Sequence, residues 1–284
     1  MKKKIKINFS DFWGGFSPTD NYFYNLLKDE FDIEISNNPD YLFYSVFGNN
    51  HQHFKGTKII YIGENIAPTF KNQNPQGADW SFSFDYLDDP RNYRLPHYLL
   101  YPGYYDLVNK KIDENLVNRK FCSFVVSNGN SKLRNDFFLK LSKYKKVDSG
   151  GRHYNNLGFL VNDKLEFLKN YKFNICFEND AHRGYNDHYT TEKLIQSMQA
   201  NTIGIYYGNT QIEKEFNKQS FIDVRDFLNL DEAVEYIIEL DKNNDKYLEM
   251  LTTETWLNNN QVPDGNKSEN IKKFLYGIFL ENNV

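Results

Sequence analysis

The second half of the chain alternates continuously apolar runs with amphipathic helical stretches, and few folds accept that pattern. "FCSFVVS" is followed by helix-period "SKLRNDFFLKLSKY" and "DKLEFLKNY", then by "KFNICFE", "TEKLIQSMQAN", "TIGIYYG", "SFIDV" and "LDEAVEYIIELDKN". Short runs apolar on both faces, separated by helices, predict a parallel sheet with its faces covered. The first half reads the same way less regularly: strands "KIKINF", "DIEIS", "YLFYSVF", "TKIIYIG" and "DWSFSFDY", with a helix near "NYFYNLLKDEF", predict a Rossmann-like α/β unit. A length of 284 residues fits two such domains. The polar stretch "DLVNKKIDENLVNRK" sets the boundary, giving domains 1–117 and 118–266 and a C-terminal helix in 267–284. Ile271, Phe274, Leu275 and Ile278 share one face of that helix and predict packing back on the domains.

Hydrophobic residues make up 40% of the chain and aromatic residues 17%, enough for two real cores. A net charge of -4 gives no footprint for nucleic acid, which needs a clustered basic excess. "MKKKIKINF" runs straight into a strand pattern, without the apolar core of a signal peptide or a membrane span. A cytoplasmic protein with at most peripheral membrane association is expected. Cys122 and Cys176 lie inside apolar runs and read as packing residues, not nucleophiles.

In open α/β sheets ligands bind beyond the carboxyl ends of the strands. After "KFNICFE" comes "NDAHRGYNDHYTTEKL", where Lys193 falls in the first turn of a helix, the positive end of its dipole. After "FCSFVVS" comes "NGNSKLRNDFF", with Ser131 as N-cap and Arg134 again in the first turn. Two readings fit this placement equally. The cations serve a multiply charged anion such as a diphosphate, or they are solvated surface charges at a cost of about 0.3–1 kcal/mol each. Glu192 suits the dipole and could also accept from vicinal hydroxyls, as acidic residues do for ribose. Neither G-x-G-x-x-G nor G-x-x-x-x-G-K-[ST] occurs, which disfavours a dinucleotide or ATP.

The succession "KFNICFEND…YTTEKLIQSMQANTIGIYYG", with "KFCSFVVSNGNSKLRNDFF", "YIGEN" and "SFIDVRDF", resembles the bacterial α-1,3-fucosyltransferases of glycosyltransferase family 10 over nearly the whole chain. The resemblance implies a GT-B architecture, two Rossmann-like domains facing a central cleft. GDP-fucose would be held mainly by the second. It further implies Arg134 and Lys193 at the diphosphate, Glu192 at the ribose, Asn179 and Tyr189 in the donor pocket, and Glu64 of "IIYIGEN" as general base. Trp13 and Phe16 of "DFWGGF" suit stacking on a sugar, and the resemblance places an acceptor-side loop there.

The implied reaction is inverting transfer of L-fucose to the 3-hydroxyl of GlcNAc in an N-acetyllactosamine-type glycan, the chemistry of Lewis-type antigens. The alternatives are another donor or linkage on the same fold, or a nucleotide- or glycan-binding module without turnover. GDP leaves as an acidic anion, so the paired carboxylates of a glycosidase are not required. No D-x-D occurs, so no essential metal or cofactor is expected and the protein's cations take the metal's electrostatic role.

Three positions depart from the family pattern. The loop between Asn179 and Tyr189 is longer, Gly204 stands where Pro is common, and Tyr207 where Trp is frequent. The H-x-H of His51 and His53 could serve zinc only with further ligands, and His182 and His188 read as solvated loop residues.

Overall fold

The computed structural model describes residues 2–65, 77–101, 103–109, 112–179, 188–256 and 269–281. The chain divides into two compact units, Met1–Leu100 with Pro263–Val284, and Tyr101–Val262. Residues 101–117, which the sequence reading assigns to the first domain, thus fall in the second unit.

In the first unit, strands β1 (Lys3–Ser10), β2 (Phe31–Ile35), β3 (Tyr41–Tyr44), β4 (Thr57–Tyr61), β5 (Trp80–Ser83) and β6 (Asn92–Arg94) form a parallel sheet in the order β2-β1-β3-β4-β5-β6. All four residues of β3 are buried, which is why "YLFY" carries no polar alternation. Helix α1 (Tyr22–Leu27) is capped by Asn21, whose side chain accepts from the Tyr24 N–H, and drives Phe23 against Phe43, Tyr61 and Phe82.

The second unit holds β7 (Lys120–Phe124), β8 (Val147–Ser149), β9 (Tyr171–Ile175), β10 (Ile203–Tyr206) and β11 (Ile222–Asp223), also parallel, in the order β11-β10-β9-β7-β8. Helices α2 (Lys132–Leu141), α3 (Lys164–Leu168), α4 (Glu192–Gln199), α5 (Leu230–Lys242) and α6 (Asn244–Thr252) connect or follow these strands. Phe124, Phe137, Phe173, Ile205 and Ile237 are fully enclosed in its core. Cys122 and Cys176 are free and buried there, and burial pushes the Cys176 thiol up to about 12, so both pack as expected.

The C-terminal helix α7 (Glu269–Glu281) packs on the first unit. Its Phe274 meets Trp80, Phe82 and Tyr93, and its Phe279 meets Phe31 and Tyr41. Ile271 and Leu275 are inaccessible to solvent, so the face read from the sequence is the buried one. No helix among the described residues is long and apolar enough to cross a membrane.

Both sheet orders contain a topological switch. In the second unit the chain leaves β7 for β8 on one side and returns to β9 on the other, so the loops after β7 and β9 diverge over neighbouring strands. In the first unit the same divergence lies between β1 and β3. Such divergences open the crevices where α/β sheets bind ligands.

Candidate active site

At the second unit's switch point, the first turn of α2 reaches across to the segment after β9. Arg134 Nη1 donates to Asn179 Oδ1 at 2.7 Å, and Nη2 donates to the Asn128 carbonyl in the turn after β7. Only 1% of Arg134 is exposed, so it is no solvated surface charge. Ser131 occupies the N-cap position as expected, yet its hydroxyl makes no capping hydrogen bond.

Lys193 is likewise withdrawn, with 16% of its side chain exposed. Its ammonium donates to Glu178 Oε2 at 3.1 Å and to Thr191 Oγ1 at 2.7 Å. Glu178, at the carboxyl end of β9, is 1% exposed and also accepts from the Thr191 N–H and hydroxyl, each at 2.7 Å. The solvated-cation reading therefore fails for both residues. The sequence reading missed Glu178 and Thr191 because a strand-end glutamate and a threonine before a helix are each unremarkable; the available signal was their adjacency in "FEN…TTEK".

The surrounding framework is tightly fixed. Ser123 donates to Asn174, and Asn174 donates to Ser197 at 2.9 Å, tying β7, β9 and α4 together through buried polar groups. Gly208, in the loop after β10, admits Glu178 closely, since a Cβ there would lie 2.6 Å from Glu178 Cγ. Asn209 donates to Thr190 Oγ1 at 2.9 Å, anchoring the approach to α4.

Two further basic residues lie near these cations. His153, after β8, sits 3.0 Å through Nε2 from Asn135 Oδ1. Burial and the Arg134 guanidinium hold its imidazole below the ordinary histidine pKa. Lys164 opens α3 and is half-buried; burial draws its ammonium's pKa down, against the upward pull of Glu192. For Lys193 burial acts downward too, but Glu178 and then Glu192 outweigh it and the pKa is raised. Tyr101 is raised by burial and by Glu192.

The structure thus gathers Arg134, Asn179, Glu192 and Lys193 at one edge of the second sheet, while Tyr189 is buried just before α4 at 6% exposure. Glu64, Trp13 and Phe16 belong to the first unit. Glu64 lies just past the carboxyl end of β4 and is exposed. Trp13, after β1, is 43% exposed, and Phe16 stacks on Phe12 with centroids 4.0 Å apart. The H-x-H pair splits: His53 is exposed, whereas buried His51 is 2.8 Å from Asp11 Oδ2 and stacks on Tyr44. His182 and most of the long loop lie outside the described residues.

The model of the alpha-(1,3)-fucosyltransferase FucT N-terminal domain matches residues 7–101, and that of the glycosyltransferase family 10 (fucosyltransferase) C-terminal domain matches residues 117–274. The chain belongs to glycosyltransferase family 10. It is 33% identical to the alpha-(1,3)-fucosyltransferase FucT of Helicobacter pylori over 296 aligned positions, which cover 87% of this chain and 59% of that protein. The chain therefore spans less than two thirds of that relative's length. A human 4-galactosyl-N-acetylglucosaminide 3-alpha-L-fucosyltransferase 9 is 33% identical over 45% of this chain and 35% of its own. A crystal structure of an alpha1,3-fucosyltransferase with GDP-fucose superposes with a TM-score of 0.80 at 29% identity, covering 100% of this chain and 93% of the other. The two parallel α/β units are thus those of the GT-B fold.

Within this family 10 chain, one departure has a packing reason. A Cβ at Gly204 would lie 2.7 Å from Leu194 Cδ1 and 3.0 Å from Cys176 Sγ, so α4 sits against β10 at glycine distance. Tyr207 meets Phe177 at 5.6 Å between ring centroids, and its carbonyl accepts from the Glu178 N–H at 2.8 Å.

Proposed function

We propose that the chain transfers L-fucose from GDP-fucose, with inversion, to the 3-hydroxyl of GlcNAc in an N-acetyllactosamine-type glycan. The observation that carries this reading is the pair of first-turn cations withdrawn from bulk solvent, buried Arg134 and mostly covered Lys193, at the second sheet's switch point. Solvated charges have no need of burial. Two fixed cations at helix starts suit a diphosphate, and the likeness to a structure holding GDP-fucose supports the nucleotide sugar.

In this reading Glu64 takes the proton from the acceptor hydroxyl as its oxygen bonds to the anomeric carbon of fucose. The bond from that carbon to the diphosphate oxygen breaks with its electron pair going to GDP. Arg134 and Lys193 stabilise the charge gathering on GDP, Glu192 accepts from the ribose hydroxyls, and Asn179 and Tyr189 shape the donor pocket. The guanidinium fork spans two oxygens whereas the ammonium is a point charge, so the two cations divide geometry and neutralisation between them. Trp13, exposed past β1 at the first sheet's switch point and backed by Phe16, is the acceptor platform. No metal or cofactor is required, and the protein works in the cytoplasm with at most peripheral membrane contact.

Incubation with GDP-fucose and a panel of type 1 and type 2 lactosamine acceptors tests the reading. The expected result is GDP release with an α-fucosyl bond to the GlcNAc O3 of a type 2 chain, identified by NMR. GDP binding without product across the panel supports a non-catalytic module. Tight UDP binding with no GDP binding overturns the donor assignment.

A further inference from the structure

A cation in the first turn of a helix needs a negative partner, and for Lys193 the protein supplies one. We propose that Glu178 is a positioning residue of the donor site, a buried carboxylate that fixes the Lys193 ammonium at the start of α4 so that an incoming diphosphate meets a pre-set charge. This rests on the reading of Lys193 as a diphosphate contact.

An ordinary helix cap does not account for the geometry. A cap needs one acceptor for a first-turn N–H, and Thr191, the N-cap residue, could provide it with its own hydroxyl. That hydroxyl makes no such bond. It donates to Glu178 Oε2 and accepts from Lys193 Nζ, bridging the two charges, while Glu178 Oε1 takes the Thr191 N–H. The direct contact between Nζ and Oε2 closes the triangle. An ammonium has three N–H groups. Glu178 and Thr191 take two, and no acceptor among the described residues takes the third. The lysine is thus aimed as well as neutralised. Holding it costs the diphosphate little reorganisation, which is how a preformed site gains affinity.

The charges around Lys193 give the arrangement a second consequence. Burial and Arg134 oppose its protonation; Glu178, from β9, and Glu192, on its own helix, favour it. Lys164 at the start of α3, the Tyr101 hydroxyl and the buried Cys176 thiol are the other titratable groups that interact with it. Removing the Glu178 charge takes away the stronger of the two upward pulls, so the ammonium loses its proton at lower pH than in the native protein.

The test is isothermal titration of the full chain with GDP between pH 7 and 9, comparing native protein, Glu178→Gln, Thr191→Val and Lys193→Ala. Taking the ratio to native at each pH cancels the nucleotide's own ionisations. Glu178→Gln is expected within about threefold of native at pH 7 and about tenfold weaker at pH 9, inside the limit of about a hundredfold that one titrating proton sets over two pH units. Thr191→Val keeps both charges and is expected to weaken GDP several-fold with no added pH dependence. Lys193→Ala is expected to bind weakly with a flat ratio. A flat ratio for Glu178→Gln beside a weakened Lys193→Ala overturns the positioning role alone. Native-like binding by Lys193→Ala overturns the donor reading beneath it. If Glu178→Gln fails to fold, native affinity in Thr191→Val overturns the inference.

Discussion

Arg134 and Asn179 are joined at 2.7 Å, from the first turn of α2 to the end of β9, across the point where the second sheet reverses its strand order. The guanidinium has its direction set by Asn179 on one arm and by the Asn128 carbonyl on the other. Lysine cannot reproduce that fork. Arg134→Lys is therefore expected to weaken GDP binding about tenfold, the scale of a charge-assisted hydrogen bond. Titration calorimetry measures it, with circular dichroism to confirm the fold. Unchanged affinity would remove Arg134 from the diphosphate site.

Glu64 belongs to the first unit and is exposed. In its proposed role as base it would act on the acceptor proton and not on the nucleotide. Glu64→Gln should bind GDP within about twofold of the native protein while turnover falls about 10²- to 10⁴-fold, the range for losing a general base. Initial rates at saturating donor separate the two effects, and full activity in the variant would exclude the role.

The fold was legible wherever an element was long and apolar enough to carry a period. β3, β9 and β10 are continuous buried runs, β7 is one after its exposed first residue, and α5 and α7 have clear apolar faces. β6 and β8 have three residues each and include polar side chains, so no period distinguishes them from loop. α6 was hidden because Asn243 ends α5 and caps the next helix within one residue, accepting from the Lys246 N–H. In the site, the misplaced cations were readable from helix position alone. Glu178 was not, because its meaning depends on which strand end meets which helix start, and that is a property of sheet order.

His153 ties the same region to pH. Asn135 donates through Nδ2 to the Gly129 carbonyl, which leaves its Oδ1 to accept from His153 Nε2–H. Either form of the imidazole can make that bond, but burial and Arg134 oppose the charged one, so the folded protein favours neutral imidazole. The folded pKa lies below the ordinary 6.5, so the unfolded chain binds the extra proton first as pH falls. Stability from this group is complete above 6.5 and declines below it, until the folded pKa is reached. Urea unfolding at pH 7.5 and 5.5 should show a larger loss for the native protein than for His153→Asn. Equal losses would contradict the assignment.

Gly204 offers a test of packing that leaves the charges untouched. It lies on β10 directly beneath α4, where Leu194 is fully buried and Cys176 closes the other side. A methyl group at Gly204 would meet Leu194 Cδ1 at 2.7 Å, so either the leucine leaves its rotamer or α4 lifts from the sheet. Overpacking of this kind costs about 1–3 kcal/mol. Gly204→Ala should lose that much in urea unfolding, and Leu194→Ala in the same chain should recover part of it by opening space. Because α4 carries Glu192 and Lys193, a lifted helix would also weaken GDP binding, whereas a shifted leucine alone would not. Measuring affinity beside stability therefore distinguishes the two ways the core can yield, and native stability in Gly204→Ala would mean the helix is not held at glycine distance.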